Sequence, residues 1–334
     1  MRALVLQEFG SPLELTELPT PEAQEGQVLV RVQASGVNPL DAKILAGKAG
    51  HAQRRLPAVP GLDLAGTVVA VGGGVDGGGV DGFAPGDEVY GLTGGVGDLP
   101  GSLAEYAAVD ARLLARKPAR LSMREAAALP LVAITAWEGL VDRARVGKGM
   151  TVLVHGGAGG IGHVAIQIAR ARGARVFATG SGDSLRTIEA LGATAIDYTS
   201  TDVGAYVADH TGGQGFDVVF DTVGGATLDA SFAAVRVYTG HVVSALGWGT
   251  HSIAPLSFRG ATYSGVFTLL PMLTGEHREH HGEILRQVAE LADAGDLTPL
   301  IDARHFTFET IGEAYHAVET GTSRGKVIVD VAGE

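Results

Sequence analysis

From residue 1 to about residue 109 the apolar positions come in short alternating or β-branched runs, "ALVL", "QVLVRVQAS", "GTVVAVG", "DEVYGL" and "AEYAAV", with turn residues between them. Side chains of a strand point to alternate faces, so this spacing predicts an antiparallel barrel or sandwich. From about Ser122 the period changes. The stretch "SMREAAALPLVAITAWEGLVDRA" is Ala-rich and helical, with Ser122 and Glu125 at capping-box spacing. Strands and helices then alternate: "TVLVHG", "GHVAIQIARARG", "RVFATG", "SLRTIEALG", "AIDY", "VGAYVADHTG", "FDVVFDTVG", "ATLDASFAAV" and "GHVVSALG". That order predicts a doubly wound parallel sheet. After about Pro271 a helix, "GEILRQVAELADAGDL", is followed by the short strands "RHFTF" and "KVIVDV" around "ETIGEAYHAVETG". These last strands are like those of the first part, so the chain is expected to return to it.

Composition complicates the search for a binding turn. The chain has 50 glycines in 334 residues, about twice the usual share of about 7%, so a loose glycine motif carries little weight. Two rich stretches compete, "VGGGVDGGGVDG" at 71–82 and "HGGAGGIG" at 155–162. In the first, "GGGVD" occurs twice in tandem at 72–76 and 77–81 with no helix pattern after it. It reads as a hairpin loop lengthened by duplication, which costs little because loop-closure entropy grows slowly with length. The second follows a buried-type strand and opens an amphipathic helix, with another strand within about 30 residues, the context of a dinucleotide site. Glycine lets the turn be tight and lets the backbone approach a pyrophosphate at the helix N-terminus. This puts Gly156, Ala158, Gly159, Gly160, Ile161 and Gly162 at the cofactor. The next strand ends in Ala178-Thr179-Gly180-Ser181, without the carboxylate that commonly takes both ribose hydroxyls of NADH. With Thr179 and Ser181 at the strand end and Arg186 nearby, NADPH is favoured over NADH. Asp183, just before "SLRTIEAL", suits a helix cap.

A formal charge of −12 works against nucleic acid, whose binding needs clustered Lys and Arg. No uncharged apolar run of about 18 residues occurs, so no membrane association is expected. The apolar segment in "MRALVLQEFGSPLEL" is too short for a signal peptide, and the chain has no Cys. A cytoplasmic protein is the simple expectation.

Several separated motifs together carry a family resemblance: "GVNPLDAKILAG", "VPGLDLAGTVVAVG", "PGDEVYGL", "GSLAEYAAV", "AALPLVAITAWEGL", "VLVHGGAGGIG", "FDVVFDTVGG" and "RGKVIVDV". From Met1 to Val331 the chain resembles the zinc-free quinone oxidoreductase branch of the medium-chain dehydrogenase/reductases. The resemblance implies a GroES-like β-barrel catalytic domain split around a Rossmann domain (1–120, 121–268 and 269–334), in a homodimer. Zinc-dependent relatives carry Cys where Asn38 stands and His-Glu where Leu62-Asp63 stands, so no zinc is expected here. His277, His280 and His281 in "EHREHHGE" read as the solvated start of the following helix.

By the same resemblance Asn38 and Thr135 line the nicotinamide, with Leu246 and Phe267 near its carboxamide end. Ser181, Arg186 and Tyr198 surround the adenosine 2′-phosphate, and Lys326 approaches the cofactor from the returning strand. Asn38 before Pro39 is also good turn chemistry, Tyr198 is also readable as a core tyrosine, and Trp137 reads as packing. Trp248, in "GWGTHS", reads as shaping an aromatic acceptor pocket. Asp41 and Asp63 lie in the right segments, yet no residue announces itself as a general acid. The expected activity is hydride transfer to a quinone or an α,β-unsaturated carbonyl, small molecules that build charge on a conjugated oxygen. The alternative is an NADPH-binding sensor or structural protein with little turnover.

Overall fold

A computed structural model describes residues 1–73 and 82–331. All of the tandem GGGVD repeat except Gly72 and Gly73 lies outside them. The strands, in chain order, are β1 (Arg2–Val5), β2 (Glu14–Glu17), β3 (Gln27–Val37), β4 (Asp63–Val71), β5 (Glu88–Leu92), β6 (Tyr106–Asp110) and β7 (Leu114–Arg116). They continue with β8 (Thr151–Val154), β9 (Arg175–Gly180), β10 (Thr194–Asp197), β11 (Val218–Asp221), β12 (His241–Ser244), β13 (Thr262–Gly265) and β14 (Val327–Asp330).

The chain divides into two compact units. The first comprises Met1–Leu131, Leu269–Gly295 and the chain from Pro299 onward. Its main sheet runs β14-β3-β4-β5-β7, antiparallel throughout, with β6 also paired to β3. The long strand β3 explains the layout. Its first half alternates, burying Val28, Val30 and Val32 and exposing Arg31, whereas from Ala34 to Val37 every residue is buried. The helix Met123–Ala127 covers that second half so closely that a Cβ on Gly36 would stand 2.3 Å from the Ala127 carbonyl oxygen. Register shifts at Leu29/Val30 and Val32/Ala34 bend the strand. It thereby meets β6 through Gln27–Arg31 and β14 through Ala34–Val37.

The second unit comprises Val132–Thr268 with Asp296–Thr298. Its six strands are all parallel, in the order β10-β9-β8-β11-β12-β13. Counted from β8 this is 3-2-1-4-5-6, the order of the doubly wound dinucleotide fold, and the order reverses between β8 and β11. Val152, Leu153, Val154, Val218, Val219, Phe220, Val242 and Val243 are fully buried. Helices on both faces make such strands read as continuous apolar runs.

Several local expectations change. The Ala-rich stretch is not one helix: Pro130 starts a new segment, Pro130–Trp137, which passes into a π-helical turn at Glu138–Arg143. The turn brings Gly139 against the Phe220 ring, 2.8 Å from where a Cβ would be. The Ser122–Glu125 capping box ahead of it is formed, and Trp137 is buried. "RHFTF" contributes only an isolated bridge, Phe306 to Val329. Strand β13 and the helix Ala254–Arg259 had no sequence signal, because "TYSG" is short and three of its four residues are exposed. His281 is not solvated. It lies on the buried face of the helix Arg278–Ala294, with Ile284, Leu285 and Val288.

Candidate functional site

The predicted site residues fall into two groups, one in each unit. In the second unit the turn after β8 is made by backbone. Gly156 has φ +72, a conformation that only glycine adopts without strain. A Cβ at Gly162 would lie 2.1 Å from the Gly156 carbonyl oxygen, and one at Gly157 would lie 2.6 Å from Cβ of Ala178. The chain from Gly156 to Ile161 can therefore fold tightly over the start of the helix Gly160–Ala171. Thr179 holds the turn from β9: the Gly156 N–H donates to its Oγ1 at 3.2 Å, and His155 Nδ1 lies 3.1 Å from the same oxygen. Burial pulls the His155 pKa down to about 4, so the ring is neutral at ordinary pH.

At the end of β9, the Ser181 hydroxyl donates to the Tyr198 hydroxyl at 3.4 Å. Tyr198 is 60% exposed, so it is no core tyrosine. Arg186 is exposed on the helix Ser184–Ala190, its guanidinium donating to Asp183 at 2.7 Å. Asp183 does occupy the N-cap position of the helix Ser184–Ala190, yet its side chain makes no capping bond. The first N–H groups of the helix, those of Ser184 and Leu185, go to the Ser181 and Gly182 carbonyls instead, and Ser184 Oγ braces the turn by accepting from the Ser181 N–H and donating to the Ser181 carbonyl.

Past β11 and β12 a buried carboxylate that sequence reasoning missed organises two turns. Asp221 accepts from the N–H groups of Val223 and Gly224 and from the Ser244 hydroxyl at 2.7 Å. Ser244 Oγ in turn accepts from the Leu246 N–H at 3.1 Å. An Asp closing a strand before a glycine turn, as in "FDTVGG", was the available signal. Leu246 leads to Trp248, whose ring meets that of Phe267 edge to face, centroids 6.0 Å apart. Trp248 is half exposed. Thr135 shares a hydrogen bond of 2.9 Å with the Thr268 hydroxyl, both buried.

In the first unit the structure brings Asn38, Asp41 and Lys326 together with Asp63. Asn38 caps the helix Pro39–Leu45, and its backbone N–H donates to Asp41 Oδ2 at 2.8 Å. Its amide nitrogen donates to Asp63 Oδ2 at 2.9 Å and to Asp41 Oδ2 at 3.2 Å. Its amide oxygen accepts from Lys326 Nζ, which also donates to the Val37 carbonyl at 3.3 Å and stands 3.6 Å from Asp63 Oδ2. The Leu131 N–H completes the set on Asp63 Oδ1 at 2.8 Å. Asn38 is 1% and Lys326 5% exposed, and the Asn38 amide has no N–H to spare for a ligand. Burial pushes the Asp41 carboxyl up to about 7, helped by the charge on Asp63. Burial likewise raises Asp63 and lowers Lys326, against the mutual attraction of the pair. One cation thus serves two carboxyls, and Asp41 is the one inclined to keep its proton.

Residues 24–119 match the alcohol dehydrogenase GroES-like domain, and residues 191–329 match the zinc-binding dehydrogenase family. The residues present do not fit the metal in that second description. The chain has no Cys, and among the described residues no group of three His, Cys, Asp or Glu side chains is arranged to hold an ion. Of the positions compared with zinc ligands, Leu62 is a buried aliphatic side chain, while Asn38 and Asp63 are occupied by Lys326.

Among curated proteins the chain is 37% identical over 340 residues to the 2-methylene-furan-3-one reductase of Solanum lycopersicum, covering 98% of this chain and 79% of the relative. It is 36% identical, with the same coverage, to the chloroplastic NADPH-dependent alkenal/one oxidoreductase of Arabidopsis thaliana. Among solved structures, an alcohol dehydrogenase superfamily protein from Novosphingobium aromaticivorans superposes with TM-score 0.95 at 58% identity, covering 99% of this chain and 100% of that one. The quinone oxidoreductase from Coxiella burnetii superposes with TM-score 0.82 at 30% identity over 99% of both chains. With a split GroES-like unit around a doubly wound sheet and relatives along nearly its whole length, this chain belongs to the medium-chain dehydrogenase/reductase superfamily and is an oxidoreductase of the quinone and alkenal/one reductase kind.

Proposed function

We propose that the protein is an NADPH-dependent reductase of α,β-unsaturated carbonyls or quinones that works without zinc. The observation that carries this reading is the turn at 156–162, set at the reversal point of the sheet and closed to any Cβ at Gly162. Its backbone N–H groups and the helix N-terminus behind them suit a pyrophosphate. Ser181, past the end of β9, which lacks a carboxylate, together with Tyr198 and Arg186, suits the extra phosphate of NADPH. The name of the Arabidopsis relative, NADPH-dependent, supports the same choice.

The reduced nicotinamide, when bound, supplies a hydride, which a conjugated acceptor takes at carbon while its oxygen or α-carbon gains a proton from solvent. The protein's part is to bind and orient. Leu246, held by the Asp221–Ser244 pair, and Phe267 serve the nicotinamide end; Trp248 against Phe267 offers a flat apolar wall to a planar acceptor.

The test is the initial rate of NADPH oxidation by the chelator-treated protein with a small enone and a small quinone, with NADH in parallel. Turnover faster with NADPH on either acceptor is the expected result. Tight NADPH binding without turnover on either would replace this reading with a sensor or structural role.

A homodimer fits the same molecule. Strand β13 pairs only with β12 among the described residues, leaving its other edge open. Tyr238, against Gly260, and Phe258 stand exposed near it. Open edges invite a further strand. Sedimentation velocity should show a dimer that Tyr238→Glu shifts towards monomer; a monomeric wild-type protein would end this part of the proposal.

A further inference from the structure

The Asp183 carboxylate makes no capping bond to the helix it precedes, is 80% exposed and pairs with the Arg186 guanidinium. An exposed i,i+3 ion pair contributes little to stability. Its consequence lies in what it does to Arg186. A guanidinium is suited to phosphate because it offers a planar fork of donors, and here an Nη2 donor already serves a carboxylate 2.7 Å away. A phosphate arriving at Arg186 must displace that carboxylate or share the cation with it, and the two anions repel. The Tyr198 and Ser181 hydroxyls, bonded to each other at 3.4 Å past the ends of the paired strands β10 and β9, are neutral and oppose neither anion.

We propose that Asp183 is a specificity-determining residue that narrows the preference for NADPH, by engaging Arg186 and opposing the 2′-phosphate. The proposal rests on the reading that Ser181, Arg186 and Tyr198 receive that phosphate. NADH, with a ribose hydroxyl in place of the phosphate, lacks the second anion and escapes the penalty. The protein therefore discriminates between the two cofactors less sharply than Ser181, Tyr198 and Arg186 alone would allow.

The test is equilibrium binding of NADPH and NADH, by fluorescence titration, to the full-length wild type, Asp183→Asn, Arg186→Gln and the double variant. Asp183→Asn should tighten NADPH by about three- to tenfold at low salt and change NADH by less than about twofold. The gain should shrink as ionic strength shortens the reach of exposed charges. It should also be absent from the Arg186→Gln background. An unchanged NADPH to NADH ratio in Asp183→Asn, with Arg186→Gln still weakening NADPH, overturns the role of Asp183 alone. A gain that persists in full without Arg186 overturns the route through that residue. If Arg186→Gln leaves the ratio unchanged, the phosphate site itself is wrongly assigned, a different failure.

Discussion

The turn at 156–162 and the cluster around Lys326 were expected to serve one cofactor, yet they are built in opposite ways. The turn is backbone, shaped by what is missing, and a single Cβ at Gly162 would close it. The cluster is side chains, each satisfied by another: the amide of Asn38 spends both N–H groups on carboxylates and its oxygen on Lys326. Missing Cβ atoms let the turn's backbone pack tightly on itself and on β9. Polar side chains gathered in a buried place use one another first, since an unpaired buried charge is expensive.

The sharpest way to break that contrast is Lys326→Met. It leaves Asp63 and Asp41 buried without their cation, and unfolding by denaturant should show a loss of about 3–5 kcal/mol, much of it recovered in Lys326→Met/Asp63→Asn. A loss below about 1 kcal/mol would mean that the cluster is open to water. Next in size is Gly162→Ala, which puts a methyl where the Gly156 carbonyl oxygen stands. NADPH should bind about 100-fold more weakly, ~2.7 kcal/mol, with the circular dichroism spectrum retained. Gly159→Ala, whose Cβ would meet only the Gly156 oxygen at 3.1 Å, should cost less. Equal effects would show that the turn is not shaped by the Gly162 contact.

Asp41 sharpens the comparison through pH. Its folded pKa is raised from 3.8 to about 7, so the folded protein holds a proton that the unfolded chain has released. The stability this contributes is complete below pH 4 or so and disappears as pH rises to about 7. Asp41→Asn keeps a neutral acceptor for the Asn38 donors and should therefore gain on wild type, by on the order of 2 kcal/mol between pH 5 and pH 8. A difference in stability independent of pH would show that Asp41 is already ionised. The smallest effect belongs to Trp248→Ala, which should raise the acceptor KM about three- to tenfold, ~1 kcal/mol, with NADPH affinity unchanged. An unchanged KM removes Trp248 from the acceptor site.

How much of this was legible follows the same division. Strands β8, β9, β11 and β12 and the glycine turn were readable because burial on both faces writes an unbroken apolar run and because only glycine fits the turn. Strand β13 was not, since an exposed edge asks nothing of "TYSG". The Asn38, Asp41 and Lys326 residues were found, but not what they touch, because Asn38 and Lys326 meet across 288 residues. Asp183 stands at the cap position, but its side chain goes to Arg186 while the Ser181 and Gly182 carbonyls take the first helix N–H groups, a choice the local sequence does not dictate.

That long reach also bears on the order in which the chain is made. The six parallel strands lie within residues 151–265 and can assemble while the ribosome is still at work, as contiguous units do. Strand β3 has no β14 to pair with until residues 327–330 emerge. Until then Asp63 and Asp41 wait without Lys326, so of the two units the one begun earlier is completed after the one inserted in its sequence.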